Sequence, residues 1–248
     1  AFNMRRLTRL FYSHSRHFQR FFLRVVERHP YLVGHLTRME SLDRIVRGLG
    51  AWAPGRATFQ ERREALGDAF DIEVVRMGLT TLTSPLSGPR AGVFAQLFGP
   101  YLSSLFRVCR QETLEETGAF EMADADMALF LTGGAARGDA FAEDCDLFGV
   151  CAREDEAPFF TRVLARVGKE LGQRGLMADF CLADVLGGTV CTIDRIVSFM
   201  HGQSEHPLVA SSLFLGSRLA EGGERFRRRL VERVVRPHIF EQADAYIR

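Results

Sequence analysis

The sequence predicts an α+β protein in which a small mixed β-sheet is flanked by N- and C-terminal helical regions. Three observations lead there. Apolar residues recur at three- and four-residue spacings through most of the first 116 positions, as amphipathic helices require. At Met127 that period gives way to short apolar runs bounded by glycine and aspartate, the pattern of buried strands. After the glycine pair at 187–188 the helical spacing returns. The implied division is a helical region over 1–120, an α/β core over 121–190 and a second helical region over 191–248.

From Arg5 to His29, Leu7, Leu10, Phe11, Phe18, Phe21, Phe22, Val25 and Val26 share one side of a helix, with Arg16, Arg20, Arg24 and Arg28 on the other. Pro30, which has no N–H to donate, ends it. Ser41 can cap a short helix through Leu49, and a loop with Trp52, Pro54 and Gly55 follows. Thr58 with Glu61 makes a capping box for a helix reaching toward Leu82. The "TSPLSGP" stretch breaks the chain, and another helix runs from about Ala91 to Glu116. In the core, "MALFLT" from Met127 and "DLFGVC" (146–151) read as strands. Residues 156–174 read as a helix, with Phe159, Phe160, Val163, Leu164, Val167 and Leu171 on one face. "MADFCLA" (177–183) reads as a third strand. Helices are then expected near 192–201, 207–220 and 223–245.

The chemistry concentrates in "LTGGAARGDAFAEDCDLFGV" (131–150). Gly133 and Gly134 follow a strand, so the backbone there can turn tightly and approach a ligand with no Cβ in the way. Such a turn feeding a short helix exposes N–H groups to an anion, and Arg137 can add a charge-assisted contact. Asp144 and Asp146, at i and i+2 of a strand start, place two carboxylates on one face. Two such carboxylates repel unless a cation lies between them, and Mg²⁺ accepts carboxylate and phosphate oxygens. If the third strand lies beside the second, Asp179 completes a three-carboxylate site.

The run "GGAARGDAFAEDCDL" resembles the signature of the polymerase-β-like nucleotidyltransferase superfamily. Its G-G-x-x-R-G-[DE] form is most similar to PII uridylyltransferases and glutamine synthetase adenylyltransferases. "RHPYLVGHL", "FDIEVVRMGLTTL", "ADFCLADVLGGTV" and "ASSLFLGSRLAEGGERF" resemble further segments of the adenylyltransferases, so the likeness spans most of the chain, although only the 133–146 motif is specific. The resemblance implies that 121–190 is a nucleotidyltransferase core. It implies that Gly133 and Gly134 hold a triphosphate, that Arg137 assists, and that Asp144, Asp146 and Asp179 bind two Mg²⁺ ions, Asp179 also helping to deprotonate the attacking hydroxyl. The implied reaction moves a nucleoside monophosphate, AMP from ATP, to an acceptor hydroxyl on a protein such as glutamine synthetase. Departures from the pattern are a shortened interval between Asp139 and Asp144, Glu143 for Ser or Thr, Cys181 and Ala183 for two arginines, and Asp184 for a proline. A catalytically degenerate module that binds nucleotide without turnover is the alternative.

Composition narrows the rest. The chain has 248 residues, 46% hydrophobic and 25% charged, as in globular domains. No run of about 18 apolar residues suggests a membrane span, and no secretory signal is evident. The sequence opens inside a helical pattern, as a piece of a longer chain would. The net charge of +1 hides an asymmetry: ten arginines lie in residues 1–50, and ten acidic side chains lie in 111–146 with only Arg137 opposing them. Lys169 is the sole lysine, so the arginines read as a solvated helix face, and a nucleic-acid partner is not expected. Cys109, Cys145, Cys151, Cys181 and Cys191 form no C-x-x-C pair, which suggests buried, reduced thiols in a cytoplasmic protein.

Overall fold

The backbone of β1 (Met127–Leu131) and β2 (Asp144–Cys151) forms an antiparallel pair, Met127 opposite Cys151 and Leu131 opposite Leu147, around which the second half of the chain is organised. The computed structural model describes residues 16–30, 58–83, 93–137, 144–180, 183–202 and 213–241. The expected Ser41 helix, the Trp52 loop, the break at 84–89 and the start of the first helix lie outside these residues, as do 203–212 and the end of the last expected helix. The chain divides into two compact units, Ala1–Leu105 with Gly138–Glu143, and Phe106–Arg137 with Asp144–Arg248.

In the first unit, α1 (Arg16–Arg28) buries Phe18, Phe21 and Val25, the i, i+3, i+7 stripe, and ends just before His29 and Pro30. The second helix, α2 (Phe59–Thr83), begins at the expected capping box. The Glu61 carboxylate accepts from Thr58 N and Oγ1 at 2.8 Å each, and Glu61 N donates to Thr58 Oγ1 at 3.2 Å. The bond from the Thr58 backbone N–H, with that from its hydroxyl, holds the Glu61 carboxyl below the usual range. Leu66, Phe70, Val74 and Val75 of α2 are buried, as are Leu97, Phe98, Tyr101 and Leu102 of α3 (Val93–Thr117), and Phe70 stacks on Tyr101 with centroids 4.3 Å apart.

In the second unit, the part of α3 beyond Leu105 is tied to its neighbours by arginines. Arg110 donates to the carbonyls of Met122, Ala123 and Ala125, and Arg166 pairs with Glu112 and Glu116. The sheet is mixed and five-stranded. On one side of β1 lies β5 (Arg218–Glu221), antiparallel; on the other lies β2. The outer edge of β2 is divided between two parallel strands. Residues 144–146 pair with β3 (Met177–Asp179), and residues 149–151 pair with β4 (Val190–Thr192).

This division corrects the sequence reading at three places. The second strand begins at Asp144 rather than Asp146. The third strand stops at Asp179, because Ala183 N turns back to Phe180 O and the chain enters α6 (Ala183–Leu186), leaving the rest of the β2 edge to β4. Helix was expected at 207–220, yet Arg218–Glu221 is a strand, recruited by the free edge of β1. Pairing with a waiting edge outweighs the helical leaning of a short segment. The helix expected at 156–174 is α5 (Ala157–Gln173), and that expected at 192–201 is α7 (Ile193–Gly202).

Both faces of the central pair are covered, which explains why every residue of β1 is buried. One face carries Ala128, Phe130, Phe148 and Val150. It packs on α7, on α8 (Glu224–Leu230) and on a π-helical segment, Val231–Phe240, through Ile196, Met200, Phe226, Leu230, Val234 and Ile239. Phe148 is the hub, stacked on Phe130 at 4.9 Å and edge-on to Phe214 at 5.6 Å. The other face meets α5, so closely at Gly149 that a Cβ there would stand 2.5 Å from Met127 Cε and 3.2 Å from Leu164 Cδ1.

Two consequences are measurable. Phe148→Ala removes a fully buried ring and is expected to cost about 3–5 kcal/mol, read as a lower urea midpoint for the second unit. His238, in the π-helical segment, lies edge-on to His201 of α7 at 4.6 Å, and burial, then the neighbouring imidazole, lowers its proton affinity. The unfolded chain therefore binds the proton more readily, so stability is full above a pH of about 6.5 and is lost as the pH falls from there toward the depressed value. His201→Ala should shrink the stability difference between pH 7.5 and pH 5 measured by urea unfolding.

Candidate functional site

The antiparallel ladder of β1 and β2 continues one step past Leu131, where Thr132 N donates to Asp146 O at 2.9 Å. Thr132 is held from its side chain as well, since its hydroxyl donates to Leu213 O at 2.8 Å. Immediately after it, Gly133 adopts φ +62° and the chain enters α4 (Gly133–Arg137), a single short helix at the end of the strand. Ala135 and Ala136 of this helix are buried, while Arg137 is exposed at its last position.

Gly133 is required by a neighbour rather than by open space. A Cβ at this position would lie 1.8 Å from Asp146 Oδ2 and 2.9 Å from its Cγ. No side chain fits there without expelling the Asp146 carboxylate, and the left-handed backbone adds strain for any other residue. Gly133 was expected to allow approach to a ligand; in the structure it admits the Asp146 carboxylate against the start of α4. That position favours negative charge, because first-turn N–H groups of a helix lack intrahelical acceptors. Gly134, half-buried, is the glycine of the pair that is left beside it.

Asp146 and Asp179 are register partners on adjacent parallel strands. Strands in a sheet lie about 4.8 Å apart and directly paired residues project to the same face. The two carboxylates therefore emerge side by side, on the face that carries Phe148 and Val150 and at the strand end beyond those rings. Asp146 is half-buried and Asp179 exposed. Asp144 opens β2 opposite Met177; its side chain lies outside the described residues. So do Gly138, Asp139, Glu143, Cys181 and the side chain of Asp184. Among the predicted site residues, Gly133, Asp146 and Asp179 thus come together at one end of the sheet. Thr132 joins them through its backbone, and a threonine directly before a glycine pair carries no sequence signal for that role.

Chemically, paired carboxylates on one face can bind a hard cation, and hard cations accept just such oxygens together with phosphate. The four described cysteines, Cys109, Cys145, Cys151 and Cys191, are buried. Cys151 is poorly available as a nucleophile: burial, with Glu154 and Glu156 nearby, pushes its thiol up to about 12. No helix among the described residues is long and apolar enough to cross a membrane. No protein-family model, curated protein or solved structure matches the chain.

Gly133→Ala tests the geometry directly. Strain at positive φ costs about 1–2 kcal/mol, and displacement of Asp146 adds to it. A fall in melting temperature larger than that of Gly134→Ala is the expected result of thermal unfolding.

Proposed function

We propose that the second unit is a nucleotidyltransferase that moves the AMP group of ATP to an acceptor hydroxyl on a protein. The observation that carries this reading is the in-register pair Asp146–Asp179, with Gly133 fitted against the Asp146 carboxylate. Asp144, two residues before Asp146 on the same strand, is the third member of the acidic set, and Gly134 and Arg137 are the groups assigned to the triphosphate. The fit to Mg²⁺ is one of donor chemistry: a set made of carboxylates suits a hard ion and would be a poor choice for a soft one.

In this reading Asp144, Asp146 and Asp179 hold the divalent ions. When bound, such ions supply charge neutralisation of the phosphates and a lowered barrier for in-line displacement. Asp179, exposed at the end of its short strand, is the base for the acceptor hydroxyl, since it is open to a large incoming substrate. Asp146, seated against Gly133, is the positional anchor. The acceptor oxygen bonds to the α-phosphorus, pyrophosphate departs, and the hydroxyl proton passes to Asp179. A second reading, nucleotide binding without turnover, draws on the shortness of β3. The chain leaves the sheet at Asp179, and Ala183 sits in α6 rather than on a strand beside the carboxylates.

The test is transfer of label from α-³²P-ATP to protein acceptors in a lysate with Mg²⁺. Asp144→Asn/Asp146→Asn is expected to lower transfer by ~10²-fold or more while leaving the fold intact by circular dichroism. Saturable ATP binding with neither transfer nor pyrophosphate release would establish the second reading. Absence of nucleotide binding would overturn both.

A further inference from the structure

A separate group of chemistry-bearing side chains lies in the first unit, where α1 ends against α2. His29 follows the last residue of α1, with its N–H donating to Val25 O at 2.9 Å. Asp68 and Asp71 sit at i and i+3 on α2, one above the other on the same face. His29 and Asp71 are buried, at 6% and 3% exposure, and Asp68 is partly open. One ligand atom from each of the three lies within 4.8 Å of those from the other two. The contact is between elements, since His29 Nε2 stands 3.3 Å from Asp68 Oδ1.

Two carboxylates this close, one of them buried, need positive charge between them. Arg28 supplies part of it from the rim, 3.6 Å from Asp71 Oδ2 and 44% exposed. Glu73 and Arg76, further along α2, form their own pair at 2.7 Å. What distinguishes the group from a plain ion pair is its mixed donor set. An imidazole nitrogen with two carboxylate oxygens is the set of a borderline ion, with bonds of about 2.0–2.2 Å. A tetrahedron of such bonds has edges of about 3.4 Å, close to the 3.3 Å between His29 Nε2 and Asp68 Oδ1. Asp71 offers its oxygen within 4.8 Å of the other two ligand atoms, and the partial exposure of Asp68 leaves a side from which water could supply a fourth ligand.

We propose that His29, Asp68 and Asp71 form a binding site for a first-row divalent transition-metal ion, with Zn²⁺ the ion that matches the tetrahedral edge, that clasps the end of α1 to α2. Zn²⁺ binds only the folded arrangement of the three groups and so stabilises the first unit by mass action. This site is independent of the carboxylates assigned to nucleotide chemistry, because it includes an imidazole and lies in a different unit of the chain.

The experiment uses the whole protein, stripped with a chelator and dialysed, titrated with ZnCl₂ by calorimetry and with Co²⁺ by visible absorption. One equivalent should bind, with a rise in melting temperature that saturates with the ion. His29→Gln and Asp68→Asn should each weaken binding at least tenfold, whereas Asp144→Asn/Asp146→Asn should retain it. Asp68 is chosen over Asp71 because its partial exposure makes the substitution tolerable to the fold. Four results overturn the proposal: no saturable Zn²⁺ binding; full affinity in both site variants; a thiolate charge-transfer band with Co²⁺, which places the ion on cysteine; or the same loss of melting temperature in His29→Gln and Asp68→Asn with and without Zn²⁺. The last would mean that only the ion pair matters.

Discussion

The shared outer edge of β2 is the constraint on which the second unit depends. An edge can be paired once along its length, so β3 takes residues 144–146 and β4 takes 149–151. Parallel pairing needs a crossover, and α5 supplies the one that brings β3 to β2. Because β3 must yield the edge after three residues, it ends at Asp179, and Asp179 is thereby left at a strand terminus beside Asp146. The shortness of β3 and the exposure of its last carboxylate have one cause.

The same strand links packing to chemistry by its period of two. Phe148 and Val150 project into the apolar cluster with the C-terminal helices, and Asp146 continues that row one step past it. Apolar side chains fill the covered part of the face, and carboxylates occupy the part beyond. Gly133 then decides where the Asp146 carboxylate rests, since it leaves a gap of the right size where a Cβ would collide. The ring stack of Phe130 and Phe148, next along the two strands, holds the pair in register. The acidic end is therefore fixed by the hydrophobic middle of the same two strands.

Much of the helical part was legible because its signals are local. The Thr58–Glu61 capping box, the stripe of Phe18, Phe21 and Val25 and the apolar face of α5 each involve residues within a few positions of one another, and each is present. The strands β1 and β2 were legible for a related reason, as apolar runs bounded by glycine and aspartate. β4 and β5 were not. "VCT" and "RLAE" are too short to carry a period, and their state is set by free edges of β2 and β1 that lie distant in sequence. His29, Asp68 and Asp71 carry no local signal either, because acids at i and i+3 are common on helices and the histidine is 39 positions away from the nearer one.

For the candidate nucleotide site, the sequence by itself determined the residue types and their order: a glycine pair after a strand, an acidic strand start and a later aspartate. Each follows from short-range rules of turns and strand periodicity. Tertiary structure alone decided that Asp179 stands in register with Asp146, and that Gly133 is a glycine on account of a carboxylate 13 residues further on. Register between strands joined by a helix depends on how that helix packs, and a steric gap depends on which atom approaches it. Neither quantity is written in the spacing of residues along the chain.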